Sequence, residues 1–97
     1  MATPESRVKA LCKTVLKTEG WWHYMPMQNG MGVVGIPDII ACKNGQFLAV
    51  ETKAPGKRKN TTANQDRVLG ELAAAGAWVI VVDDVEQLID FLEKHDA

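Results

Sequence analysis

Asp38, Glu51 and Lys53 are the residues whose types and spacing can do chemistry together in this chain. An Asn44-Gly45 pair lies between two apolar, β-prone runs at about 36–42 and 46–53, the strongest short-range signal for a hairpin. A two-residue turn there pairs Lys43 with Gln46, and every facing pair then sums to the same 89. Ile39 falls opposite Val50, and Asp38 opposite Glu51. Directly opposed side chains on antiparallel strands hold their Cβ atoms about 4.5–5.5 Å apart. Two carboxylates so placed repel each other unless something cationic lies between them. Lys53, two residues beyond Glu51, projects from the same face. Two acids and a lysine at the end of an apolar hairpin describe a metal site with a catalytic cation.

The elements that must position this group read as αβββαβα. Thr3-Pro4-Glu5 starts a helix, with Thr3 as N-cap and Pro4 at the first helical position, and Val8, Leu11, Cys12, Val15 and Leu16 recur at helical spacing up to Gly20. Residues 21–25 read as a strand that Pro26 stops, and residues 26–35, with Gly30, Gly32 and Gly35, as a loop. After the hairpin, a polar loop with Pro55-Gly56 and Lys57-Arg58-Lys59 leads to a helix over about 63–75, with Thr62 and Gln65 at capping-box spacing. Residues 77–82 are apolar throughout, as a strand covered on both faces would be. Asp83 or Asp84 opens a last helix. If strands three and four are parallel, the helix between them makes a right-handed crossover. The fold class is α/β, with a mixed four-stranded sheet flanked by helices.

Composition narrows the function classes. Ninety-seven residues are expected to form one domain, 1–97. Cys12 and Cys42 lack CxxC spacing and fall in apolar runs, which argues against a disulfide framework or a zinc knuckle. No apolar run approaches the roughly 18 residues of a membrane span, so a soluble intracellular protein is expected. The net charge of −1 hides an asymmetry. Residues 1–67 carry ten Lys/Arg against five Asp/Glu, a net of +5, and residues 68–97 carry one against seven, a net of −6. A polyanion is drawn to the part that holds the hairpin.

Gly35-Ile36-Pro37-Asp38, Val50-Glu51-Thr52-Lys53, Pro55-Gly56 and Gln65, in this element order, resemble the VRR-NUC (virus-type replication-repair nuclease) family of the PD-(D/E)XK nuclease superfamily. The resemblance runs from about Glu5 to Asp83 and is closest to the stand-alone kind that is similar to Holliday-junction resolvases. It implies a restriction-endonuclease-like core and a virus-encoded setting in DNA repair or recombination. It implies a Mg²⁺ ion, replaceable by Mn²⁺, on Asp38, Glu51 and the backbone carbonyl of Thr52. Lys53 would orient or activate the attacking water. It also implies that Glu5 assists the metal, directly or through water, and that Gln65 contacts water or phosphate. Each of the last two has a plain alternative: Glu5 as a first-turn acid on the helix dipole, Gln65 as half of a capping box.

Lys57, Arg58 and Lys59, with Lys9 and Lys13, are expected to contact the DNA backbone, a sequence-independent interaction. Trp21, Trp22 and Tyr24 suit a core or dimer interface better than base stacking, and Met25, Met27 and Met31 suit an adaptable apolar surface. His23 has no second histidine near it in sequence. The expected function is a metal-dependent DNA endonuclease, selective for structure rather than sequence, acting on four-way junctions as a homodimer. The alternative is a non-catalytic nucleic-acid-binding module, or a subunit of a larger nuclease complex, on the same fold.

Overall fold

A computed structural model describes residues 2–27 and 32–95. Gly30 and Met31, part of the glycine- and methionine-rich loop singled out above, lie outside the described residues. The elements are α1 (Pro4–Thr18), β1 (Trp22–Tyr24), β2 (Ile39–Lys43), β3 (Gln46–Thr52), α2 (Ala63–Ala74), β4 (Trp78–Val82) and α3 (Val85–His95). The expected order holds, and α1 begins as its sequence dictates, with the Thr3 side chain accepting from the Ser6 N–H.

One sheet carries the strands in spatial order β1-β2-β3-β4. β1 to β3 run antiparallel in sequence, and β4 lies parallel to β3. The hairpin has the register derived above, from Lys43 opposite Gln46 to Ile39 opposite Val50. Asn44 and Gly45 have φ of 51° and 81°, the two positive values that a tight I′-type hairpin turn requires.

Alternation along the strands divides their side chains between two faces. Ile39, Ala41, Leu48, Val50, Ile80 and Val82 join Val8, Cys12 and Leu16 of α1 and Leu88 and Leu92 of α3 in one core. The opposite face meets α2, whose Val68 and Leu69 are buried. β4 is an edge strand in sheet order, yet α2 lies against it on one face and α3 on the other, so its unbroken apolar run still has something to bury against. Both cysteines are free thiols; burial pushes the Cys12 thiol up to about 11, which makes it inert. No helix among the described residues is long and apolar enough to cross a membrane.

Candidate functional site

Asp38 enters β2 and Glu51 and Thr52 end β3, so the hairpin register alone brings both acids to one end of the sheet. Asp38 lies just beyond the last ladder pair, and its carboxylate replaces a ladder bond. Its Oδ2 accepts from the Thr52 N–H and from the Thr52 hydroxyl, both at 2.9 Å. Thr52 is fully buried, so these two donors hold Asp38 in a fixed orientation. Its other oxygen, Oδ1, faces the Lys9 ammonium at 3.5 Å.

Glu51 is 3% exposed. Burial pushes its carboxyl up to about 8, and the neighbouring Asp38 charge pushes in the same direction. Lys53, with its Nζ 3.6 Å from Glu51 Oε2, offsets this only in part. Two acids that cannot both ionise comfortably are the ordinary condition of a carboxylate pair built around a cation. The Glu5 charge adds to the pressure on Glu51 from α1, as the smallest of these influences.

Gln65 joins the two halves of the site. Its Oε1 accepts from Lys53 Nζ at 2.9 Å and from the Thr62 N–H at 2.9 Å, and its Nε2 donates to Glu51 Oε2 at 3.0 Å. The Thr62 side chain accepts from the Gln65 N–H in return, completing the capping box. The two readings of Gln65 are therefore one structure: the cap that starts α2 also aims the amide at the acids and the lysine. α2 itself is held against the loop before Asp38. At Gly35, with φ of 90°, a Cβ would come within 2.5 Å of the Asn64 carbonyl carbon and oxygen and 2.9 Å of the Gln65 nitrogen.

The residues fit a small, hard cation. Mg²⁺ takes one or two carboxylates and keeps several waters rather than occupying an all-protein cage. Among the described residues no group of three or more His, Cys, Asp and Glu side chains could hold an ion, so Glu5 does not join Asp38 and Glu51 in a three-acid cluster, and His23 is in no such group.

Other sequence candidates are more dispersed. Lys57, Arg58 and Lys59 are exposed in the loop between β3 and α2, and Arg58 Nε donates to the Val81 carbonyl on β4 at 2.6 Å. Lys13 is half-buried on α1. Lys9, expected on phosphate, lies over Asp38. The aromatic run splits by strand alternation: Trp21 is buried in the core, whereas Trp22 and Tyr24 stack on each other, 6.4 Å between centroids, and are 64% and 50% exposed. Two contributions were missed in the sequence: the Thr52 side chain, considered only for its carbonyl, and Gly35 as the seat of α2. The only signals in the sequence were their places inside the Val50–Lys53 and Gly35–Asp38 segments.

No family model matches the chain, and no curated protein sequence matches it. Among solved structures, one described as a VRR_NUC domain superposes with a TM-score of 0.72 at 28% identity, covering 99% of this chain and 100% of that one. The shared fold is that of a nuclease domain, and the motif residues stand on it in the expected hairpin register, so the chain is similar to a VRR_NUC domain in both fold and motif placement.

Proposed function

We propose that this chain is a divalent-cation-dependent phosphodiesterase that cuts DNA at the Asp38–Glu51–Lys53 group. The observation that carries the reading is the closed network in which Gln65 bonds both Lys53 and Glu51 while Asp38 is locked on Thr52. Asp38, Glu51 and the Thr52 carbonyl would hold Mg²⁺ or Mn²⁺, with Glu5 reaching it through water. Bound there, the ion supplies Lewis-acid stabilisation of the phosphate and a more acidic water. The Lys53 Nζ, anchored by Gln65, donates to the attacking water or to a phosphate oxygen and offsets negative charge as it develops. Gln65 orients Lys53 and Glu51 against each other, so the group is set before substrate arrives.

Lys57 and Lys59 would hold the DNA backbone, with Lys13 extending the surface, and such contacts position without reading sequence. Selection then rests on the shape of the DNA, and a four-way junction suits a two-fold dimer that offers two sites. The exposed apolar surface supports a dimer. Trp22, Tyr24, Met27, Val33 and Val34 are all at least half exposed, and four of these, with Ile36, Ile40 and Phe47 among others, line a groove of about 560 Å³ beside edge strand β1. Contiguous apolar surface of this kind marks an interaction site.

The test is a labelled four-way junction and a linear duplex of the same sequence, incubated with the protein in Mg²⁺, in Mn²⁺ and in chelator, with light scattering on the same sample. Wild type is expected to cut the junction only with the metal. Asp38→Asn is expected to be dead, and Lys53→Ala to cut at least about 10²-fold more slowly while binding the junction normally. Binding without cutting under every metal would move the assignment to a non-catalytic DNA-binding module, and wild-type turnover by Lys53→Ala would remove that residue from the chemistry.

A further inference from the structure

The two oxygens of Asp38 have different partners. Oδ2 is committed to Thr52, from which it accepts two bonds, whereas Oδ1 faces Lys9 across 3.5 Å. Lys9 reaches this position from α1, where Val8 and Cys12 on either side of it in the helix are buried and fix the rotation of the element. Its side chain keeps 27% of its exposure, so the ammonium can leave without unpacking the core. It also has somewhere to go. Glu5 lies four residues earlier on the same face of α1, with the acid N-terminal to the base, the favourable order for a helical pair.

We infer that Lys9 is the site's own counter-cation: it occupies Asp38 Oδ1 while no divalent ion is bound, gives that oxygen up when one arrives, and so sets the affinity of the site for divalent cations. The inference rests on the cation site proposed above and adds its regulation. Lys53 is not equivalent, because Gln65 fixes it beside Glu51, whereas the one partner of the Lys9 ammonium among the described hydrogen bonds and ion pairs is the Asp38 oxygen, an ion pair. An ammonium at this position opposes a dication twice over. Its pair with Asp38 must be broken, and its charge, if it stays near, repels the ion.

Removing that charge should therefore tighten binding. The experiment is an equilibrium titration of the full chain with Mn²⁺, followed by calorimetry and by the paramagnetic signal of the free ion, in wild type, Lys9→Met, Lys9→Gln, Lys9→Arg and Asp38→Asn. Lys9→Met and Lys9→Gln are expected to bind roughly five- to twentyfold more tightly than wild type. Lys9→Arg is expected to stay within about twofold of wild type because it keeps the charge. Asp38→Asn is expected to lose the site. If wild type and Asp38→Asn behave as expected but the two neutral variants bind no tighter than wild type, Lys9 is a surface lysine and the inference falls while the cation site stands. If wild type binds no Mn²⁺, or Asp38→Asn binds it as well as wild type, the cation site falls and the role of Lys9 with it.

Discussion

Replacing Gly35 by alanine tests whether the loop before Asp38 and the start of α2 act as one unit. Two costs are separable. The first is conformational: Gly35 has φ of 90°, and an L-residue forced into left-handed backbone costs about 1–2 kcal/mol. The second is steric. The added Cβ would sit 2.5 Å from the Asn64 carbonyl group, where ordinary contact is 3.4–4 Å, and the obstacle is backbone, which cannot rotate away. Opening this gap needs a displacement of about 1 Å at the first turn of α2, at a cost of about 1–3 kcal/mol. Gly45 supplies the control, since its φ is 81° and a Cβ there meets nothing within 4 Å. Gly45→Ala should therefore bear the conformational cost alone. In thermal unfolding, Gly35→Ala should melt about 5–20 °C below Gly45→Ala, because 1 kcal/mol is worth about 4–8 °C in a domain of this size. Activity carries the sharper signal. A shift of 1 Å at the Gln65 backbone takes its bonds to Lys53 and Glu51, now 2.9 and 3.0 Å, out of range. Misplacement on this scale costs about 10²-fold in rate. Cleavage per folded molecule, measured well below either melting point, should fall by that factor in Gly35→Ala and stay near wild type in Gly45→Ala. If the two variants melt together and cut alike, the loop does not seat α2 and the positioning of Gln65 needs another explanation.

Two further predictions follow from the same atoms. Thr52→Val removes one of two donors to Asp38 Oδ2 without opening a cavity, so it should destabilise the chain by about 1.5–3 kcal/mol in urea and weaken Mn²⁺ binding, whereas Thr52→Ser should restore most of both; a valine variant indistinguishable from wild type would refute the anchoring role. Glu51 keeps its proton to about pH 8 when folded but to about 4.5 when unfolded, so between these values the unfolded chain binds fewer protons and stability must fall as pH rises. In chelator the melting temperature should be higher at pH 5.5 than at pH 8, and Glu51→Gln should flatten that slope; a slope of opposite sign, or one that survives the substitution, would show that Glu51 is not the buried acid responsible.

How much of this was legible in the sequence depends on the range of the interaction concerned. The hairpin was readable because Asn44-Gly45 fixes a local register, and local register propagates pair by pair up to Ile39 and Val50. Asp38 is the first position at which that rule fails. It leaves the ladder, and what holds it is a side chain bonding to the Thr52 backbone and hydroxyl, which no periodicity encodes. Gln65 was legible as a cap, since a capping box is a four-residue pattern, but its reach to Glu51 and Lys53 depends on where the crossover from β3 sets α2 down. That placement turns on Gly35, which contacts residues almost thirty positions away. The Lys9–Asp38 pair was not legible for the same reason. On a helical wheel Lys9 belongs to a basic stripe with Lys13 and Lys17, and only the packing of α1 across the sheet end shows that it faces an acid rather than solvent. The division has a chemical logic. The hairpin brings the acids together by short-range rules that tolerate little variation, whereas the groups that tune them arrive on α1 and α2 through tertiary contacts. Helix placement can therefore change the protonation of Glu51, and at the proposed cation site the affinity of Asp38, without touching either acid.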